Sequence, residues 1–450
     1  MAFIYTGTEN ADFFTGDGSG GNATGLSGSD TLGGGAGKDT LIGGSGNDVL
    51  MAFGGADYVS GGTEDDSIDG GDGHDMLFGN QGADTLVGGD GNNTIVGGQD
   101  SLDGADLIAL GSTSAGNDLV FGNGGDDTVI AVTGGEDTLI AGVGDDLVNY
   151  GLGNALVYGN EGNDTIIGNS GANTLIGGQG DDFVVAISGS NLIYGNEGAD
   201  SLTAGSGDDT LIGGQDSTDG ADFMVTGSGS DLVFGNGGND TIFSGGLGND
   251  TVVGGVGHDM ILSDGASGSH NIVYGNEGND TVLSFLGTDT IIGGQGNDFI
   301  NGDAGNDSIF GNEGNDLIIG CADVDTISGG SGNDTFVFTD VTDDGAVATG
   351  IDRITDVVWG TDKFQVSVAV LAAGSVTAAG GTLADAATNA LNAVAAGAGL
   401  GTASAVAAQF SFGSSVYLAV NVDGIDGFLD DDVLVNITGV TGTIAKTDFV

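Results

Sequence analysis

Short apolar runs recur along this chain every nine residues, each preceded by a stretch nearly devoid of apolar side chains. Residues 34–51 read GGAGKDTLIGGSGNDVLM, two copies of one phrase. The phrase has two glycines, any residue, a third glycine, any residue, an Asp, and a triplet whose central, eighth position is apolar. Glycine admits φ > 0 and close backbone approach, while Val, Leu, Ile and Phe favour a pleated, half-buried surface. Six residues turn and three extend, so two copies form a flattened coil of eighteen. A unit that buries a single face must stack on its neighbours to make a core. The pattern therefore predicts an all-β fold, a parallel solenoid of stacked 18-residue coils.

Residues 1–26 read as a capping coil that keeps an Asp, Asp12, before an apolar pair. From residue 27 to 337 the register is regular. Its sixth positions are Asp30, Asp39, Asp48, Asp57, Asp66, Asp75 and Asp84, then Asp127, Asp146, Asp164, Asp182, Asp200, Asp209, Asp231, Asp240 and Asp259. Asp280, Asp289, Asp298, Asp307, Asp316, Asp325 and Asp334 complete the series, and short insertions interrupt it locally. Residues 79–194 align with 195–310, so a whole module is duplicated. Paired glycines eighteen apart, such as Gly159 and Gly177, favour a two-stranded roll over a three-sided helix. Residues 338–450 form a different, small β-rich domain with one helix: Thr382 and Asp385 are spaced as a capping box, Leu383, Ala387, Leu391 and Val394 share a face, and Gly397 is a stop. The acidic run around Asp423, Asp426, Asp430, Asp431 and Asp432 reads as a surface loop.

Charge narrows the function. The 450 residues include 96 glycines, no proline, and 65 acidic against four basic residues: Lys38, Arg353, Lys363 and Lys446. Such a polyanion excludes nucleic acid as a partner. One cysteine, Cys321, leaves no intramolecular disulfide and reads as a small filler in its turn. The opening MAFIYTGTEN lacks the basic and long apolar regions of a signal peptide, and no apolar run is long enough for membrane insertion. No H-E-x-x-H, G-x-S-x-G or GK[ST] motif occurs, and the carboxylates lie at a repeat spacing rather than in one cleft, so the expectation is no enzyme.

The phrase GGxGxD followed by x-apolar-x resembles the RTX, or haemolysin-type, calcium-binding repeat. The resemblance implies a parallel β-roll with Ca²⁺ held between turns one coil apart, roughly one ion per repeat. Carried onto one pair of turns, it implies a site of six oxygens: the carbonyls of Asn160, Gly162, Gly177 and Gln179, and the carboxylates of Asp164 and Asp182. Six hard oxygens suit calcium better than zinc. Asn93, Asn173, Asn191 and Asn271 read as neutral ligands in place of Asp, and Ala155 as none; His74, His258 and His270, at the fifth position, read as solvent-facing substitutions. Residues 1–337 hold 52 acidic and one basic residue, so about 25 to 30 calcium ions would nearly neutralise them. The carboxyl-terminal region, with GNDTFVF, DRITD and a final Asp448-Phe449-Val450, resembles the C-terminal module of type I secreted RTX proteins, which implies that secretion machinery as a partner.

The expected function is a secreted, calcium-dependent structural protein of the cell surface, a subunit of an S-layer, sheath or filament that associates with itself. The alternative is a calcium-dependent adhesin that binds surface polysaccharide, and a third possibility is an RTX enzyme with an unrecognised site. One ladder of ninth positions supports the first: Phe78, Val96, Phe121, Ile140, Tyr158, Ile176, Tyr194, Ile212, Phe234, Val253, Tyr274, Ile292 and Phe310 alternate aromatic with aliphatic, where solvent would call for polar groups.

Overall fold

The computed structural model describes residues 3–99, 103–111, 116–132, 134–338, 352–366, 372–376, 382–398, 406–412, 414–421, 433–437, 440 and 442–449. The chain divides into two compact units, Met1–Gly227 and Ser228–Val450.

In the first unit each coil contributes one strand to each of two parallel sheets. Leu156 pairs with Thr174, Val157 with Leu175 and Tyr158 with Ile176 in one sheet; Thr165 pairs with Phe183, Ile166 with Val184 and Ile167 with Val185 in the other. The offset is eighteen residues, so each strand lies directly above its counterpart in the next coil. Every eighth-position side chain points between the sheets: Leu32, Leu41, Leu50, Val59, Leu77, Leu86, Val157, Ile166 and Leu175 have no exposed surface. The coiling starts at the amino end, where Phe3–Thr6 pairs with Gly21–Ser27 and Phe13–Thr15 with Thr31–Gly35.

The second unit begins with the same architecture. Val233, Val252, Val273, Ile291 and Ile309 stack in one sheet and Ile242, Ile261, Val282 and Ile300 in the other, all fully buried. Arg353–Ile354 and Lys363–Val366 extend these sheets by pairing in parallel with Thr326–Ile327 and Thr335–Phe338. A helix, Leu383–Gly397, follows. Asp385 N–H donates to the Thr382 hydroxyl at 3.1 Å and Thr382 N–H donates to the Asp385 carboxylate at 3.2 Å, the capping box read from the sequence. Its buried face, Ala387, Leu391 and Val394 among others, packs on Val406, Ala408 and Phe410 of a strand that pairs antiparallel with Ser415–Val420. Phe449 lies 6.0 Å from Phe364, ring to ring, which ties the carboxyl end to the last coils. The acidic run Asp423–Asp432 lies outside the described residues. Among the described residues no helix is long and apolar enough to cross a membrane.

Candidate metal centre

Successive repeats turn at opposite edges of the flattened coil, because each coil contains two of them. At one edge of the first unit the sixth positions are Asp12, Asp30, Asp48, Asp66, Asp84, Asp106, Asp127, Asp146, Asp164, Asp182, Asp200 and Asp222, with no other residue type. We term this the aspartate edge; in the second unit it holds Asp240, Asp259, Asp280, Asp298, Asp316, Asp334 and Asp362. The other, mixed edge holds Asp39, Asp57, Asp75, Asn93, Asp118, Asp137, Ala155, Asn173, Asn191 and Asp209 in the first unit, and Asp231, Asp250, Asn271, Asp289, Asp307, Asp325 and Asp352 in the second.

Each aspartate spends one oxygen on its neighbour. Asp146 N–H donates to Oδ1 of Asp164 at 2.9 Å, Asp164 N–H to Asp182 at 2.7 Å and Asp182 N–H to Asp200 at 2.8 Å, and this ladder runs on coil after coil. A second ladder, one residue earlier, runs the opposite way: Asn163 N–H donates to Asp145, Asp181 N–H to Asn163 and Ala199 N–H to Asp181. His74 and His258 take part in it, each accepting at Nδ1 from the N–H of Asn92 or Asn279. All three histidines are exposed, as the sequence suggested, but these two also serve as acceptors in place of Asn or Asp.

The other carboxylate oxygen has nothing to bind. Oδ2 of Asp30, Asp48, Asp66, Asp84, Asp106, Asp127, Asp146, Asp164, Asp182 and Asp200 is buried without a hydrogen-bond partner, and so is Oδ2 of Asp259, Asp280, Asp298 and Asp316 in the second unit. These residues are 1–3 % exposed, and no Lys or Arg occurs between Asp39 and Asp352. Burial, reinforced by neighbouring aspartates, pushes Asp127 and Asp182 up to about 8 and Asp66, Asp106 and Asp146 up to about 7. A column of buried carboxylates this close to one another calls for cations.

The space they face is lined with oxygen. A Cβ placed on Gly159 would collide with Oδ2 of Asp164 and the carbonyl oxygen of Gly177, and one on Gly293 with Oδ2 of Asp298 and the carbonyl of Gly311. At these turns the first glycine is therefore required by a cradle between coils. Asn160, at the second position, adopts φ +87°, as do Asn80, Asn123 and Asn196 at +83°, +78° and +82°, which turns the backbone at the same point in each coil. Of the six oxygens implied for one site, the Gly177 carbonyl and Asp164 Oδ2 border the same cradle. Oδ1 of Asp182 faces Asp164 N–H, and the Gln179 carbonyl accepts from Gly162 N–H at 2.8 Å. Asn160 and Gly162 stand directly across from Gly178 and Gly180 of the next coil. Among the described residues no three acidic, histidine or cysteine side chains converge, so an ion held here would need backbone carbonyls among its ligands. The donor set is all oxygen and fits calcium.

The mixed edge differs at the level of single atoms. Oδ1 of Asn173 accepts from Ala155 N–H, and its Nδ2 lies where the aspartates carry Oδ2, 3.4 Å from the Gly171 carbonyl. Asn191 repeats this, with Nδ2 donating to Gly189 O at 2.8 Å and to Asp209 Oδ1 at 3.0 Å. In both asparagines the side-chain oxygen accepts the ladder bond and a donor amide stands where the aspartates carry Oδ2. At Ala155 the missing carboxylate is matched by Tyr150, five residues earlier, which is fully buried and donates its hydroxyl to Gly135 O at 3.0 Å. In the second unit the hydroxyls of Ser244 and Ser284 donate to Oδ2 of Asp250 and Asp289, each at 2.5 Å.

Counting in nines missed Asp106, Asp118, Asp137, Asp222, Asp250, Asp352 and Asp362, all of which stand in these columns and are buried. Insertions shift them out of phase. Each is nonetheless followed by an apolar residue two positions on, the signal that would have found them.

A family model for the RTX calcium-binding nonapeptide repeat, built on four copies, matches the chain in overlapping segments from residue 15 to 261 and from 266 to 336. No curated protein matches it in sequence.

Proposed function

Since the chain belongs to the family of RTX calcium-binding nonapeptide repeat proteins, we propose that it is a non-enzymatic, secreted protein whose solenoid folds only when calcium fills the cradles of its aspartate edge, and that it serves as a structural subunit at the cell surface. The observation that carries this reading is the column of buried, unpartnered Oδ2 atoms, with no basic side chain to neutralise them. Ion binding then supplies folding free energy, and the chain stays unfolded where calcium is scarce, a state suited to export through the type I machinery.

Association with copies of itself is supported by the outer face. In the first unit Phe121, Ile140, Tyr158, Ile176, Tyr194 and Ile212 are in direct register, one per coil, and half-buried by one another. Leu119, Leu156 and Leu192 flank the aromatic members, and Thr138, Thr174 and Thr210 the aliphatic ones, so bulky and slim coils alternate. In the second unit Phe234, Val253, Tyr274, Ile292 and Phe310 continue the same alternation. Such a corrugated face complements itself when shifted by one coil.

Far-UV circular dichroism across a calcium titration, with EGTA and magnesium as controls, tests the folding; sedimentation velocity at the calcium end point tests the association. A full β spectrum in EGTA at pH 8 would overturn the first, and a monomer at high concentration the second.

A further inference from the structure

We infer that calcium loads the two edges unequally: it occupies the aspartate edge of each unit, and it is shut out of the parts of the mixed edge where the protein's own groups occupy the cradle. The inference rests on the calcium-dependent fold proposed above and limits where the ions go.

Three replacements close the mixed edge, each by different chemistry. At Asn173 and Asn191 an amide N–H points at the carbonyl oxygens that would coordinate an ion, so a cation would meet a positive dipole instead of a carboxylate. At Ala155 one carboxylate is gone, and the fully buried Tyr150 stands at the turn's first position, where Asp164 and Asp182 of the aspartate edge have Gly159 and Gly177. At Asp289 the Ser284 hydroxyl donates to Oδ2 at 2.5 Å, so a protein group takes one of that oxygen's acceptor sites on the side that a first-position glycine leaves open.

Backbone conformation agrees with the side chains. The second turn position is left-handed at Asn160 and Asn196 on the aspartate edge, whereas Asn169, Ile187 and Gly205, its equivalents before Asn173, Asn191 and Asp209 on the mixed edge, lie outside that region; nearer the amino end Phe53, Gly71 and Gly89 of the mixed edge are left-handed too. The carbonyls of Asn169, Ile187 and Gly205 are not turned as in the neighbouring row. Toward the amino end the mixed edge regains what an ion needs, because Asp39 and Asp75 follow glycine-first turns and keep an unpartnered Oδ2. The family repeat would by itself suggest ions on both sides of every coil. These residues divide the solenoid into a metal-held edge and one that is partly closed by hydrogen bonds and packing.

Crystals of the full chain grown in calcium, with anomalous difference maps recorded at long wavelength, test the division directly. Peaks beside Asp164 and Asp298, with none beside Asn173, Tyr150 or Ser284, are expected. Peaks of similar height at both edges would overturn this inference while leaving calcium-dependent folding intact; absence of peaks everywhere would overturn both. Native mass spectrometry of the Ser284→Gly variant gives a second readout: the freed Asp289 carboxylate should raise the calcium count by one ion per chain relative to the parent. An unchanged count in a folded variant would mean that serine is not what excludes the ion.

Discussion

The hydroxyl of Ser284 lies 2.5 Å from Oδ2 of Asp289, at the turn position where Asp298 of the aspartate edge follows Gly293 and an open cradle. Both residues are buried, at 1 % and 2 % exposure. Replacing Ser284 with Ala keeps the volume nearly constant but leaves a buried carboxylate oxygen without its donor. The expected cost is about 1–3 kcal/mol, read from urea unfolding in saturating calcium. An unchanged midpoint would show that the hydroxyl contributes nothing to closing this edge.

Tyr150 separates packing from hydrogen bonding. Tyr150→Phe removes only the bond to Gly135 O and should cost about 1 kcal/mol, whereas Tyr150→Ala empties a fully buried ring and should cost about 3–5 kcal/mol. Thermal unfolding of the pair in calcium checks the ranking; equal losses would mean that the hydroxyl dominates.

On the aspartate edge, Asp164→Asn should act differently from Asp164→Ala. The amide oxygen can still accept from Asp146 N–H, so the ladder survives, but Nδ2 takes the place of Oδ2. The calcium midpoint of folding is expected to rise about tenfold, equivalent to about 1.4 kcal/mol, with the end-point spectrum unchanged. Asp164→Ala should lose the ladder bond as well and weaken the calcium-bound form itself. Similar midpoints for Asp164→Asn and the parent would remove this carboxylate from the ligand set.

Acid should partly substitute for calcium. In the metal-free fold burial pushes Asp127 and Asp182 up to about 8 from an ordinary value of 3.8. A folded-state pKa above the unfolded one contributes stability that is complete below about pH 4 and is lost as pH rises through about 8. In EGTA the β signal should therefore appear on acidification and fade toward pH 8. With calcium present the sign reverses, because protons compete with the ion and the calcium midpoint should fall as pH rises. A metal-free fold that strengthens with pH would contradict the burial of these carboxylates.

Much of this was legible in the sequence, for identifiable reasons. The eighth-position rule located core residues such as Val157 and Ile166, because a strand flanked by six-residue turns has one face to bury. The capping box at Thr382 and Asp385 was readable because its bonds are local. The chemistry of the asparagines was not: that Asn173 spends its oxygen on Ala155 N–H depends on a coil eighteen residues away. The contrast between edges was present in the letters, since Asn173 and Asn191 are eighteen apart, but a nine-residue count merges both edges into one series. The second face was also undercounted. Leu107, Leu147, Phe183 and Phe223 are exposed there at the seventh position, between Thr128, Thr165 and Ser201, whereas the reading followed only the ninth.

The aspartate ladder also has a direction, and its two ends are therefore unlike. In the first unit Asp12 N–H reaches for Asp30, farther along the chain, while the Asp12 carboxylate itself accepts from Thr8 N–H; in the second unit Asp352 and Asp362 receive the N–H groups of Asp325 and Asp334. A cation can satisfy a surplus acceptor; it can do nothing for a surplus donor. In the second unit Asp362 thus acts as a chain terminator in the polymer chemist's sense: its own N–H turns back to Val358 O at 3.0 Å, which consumes the valence through which a further coil would be added at that edge.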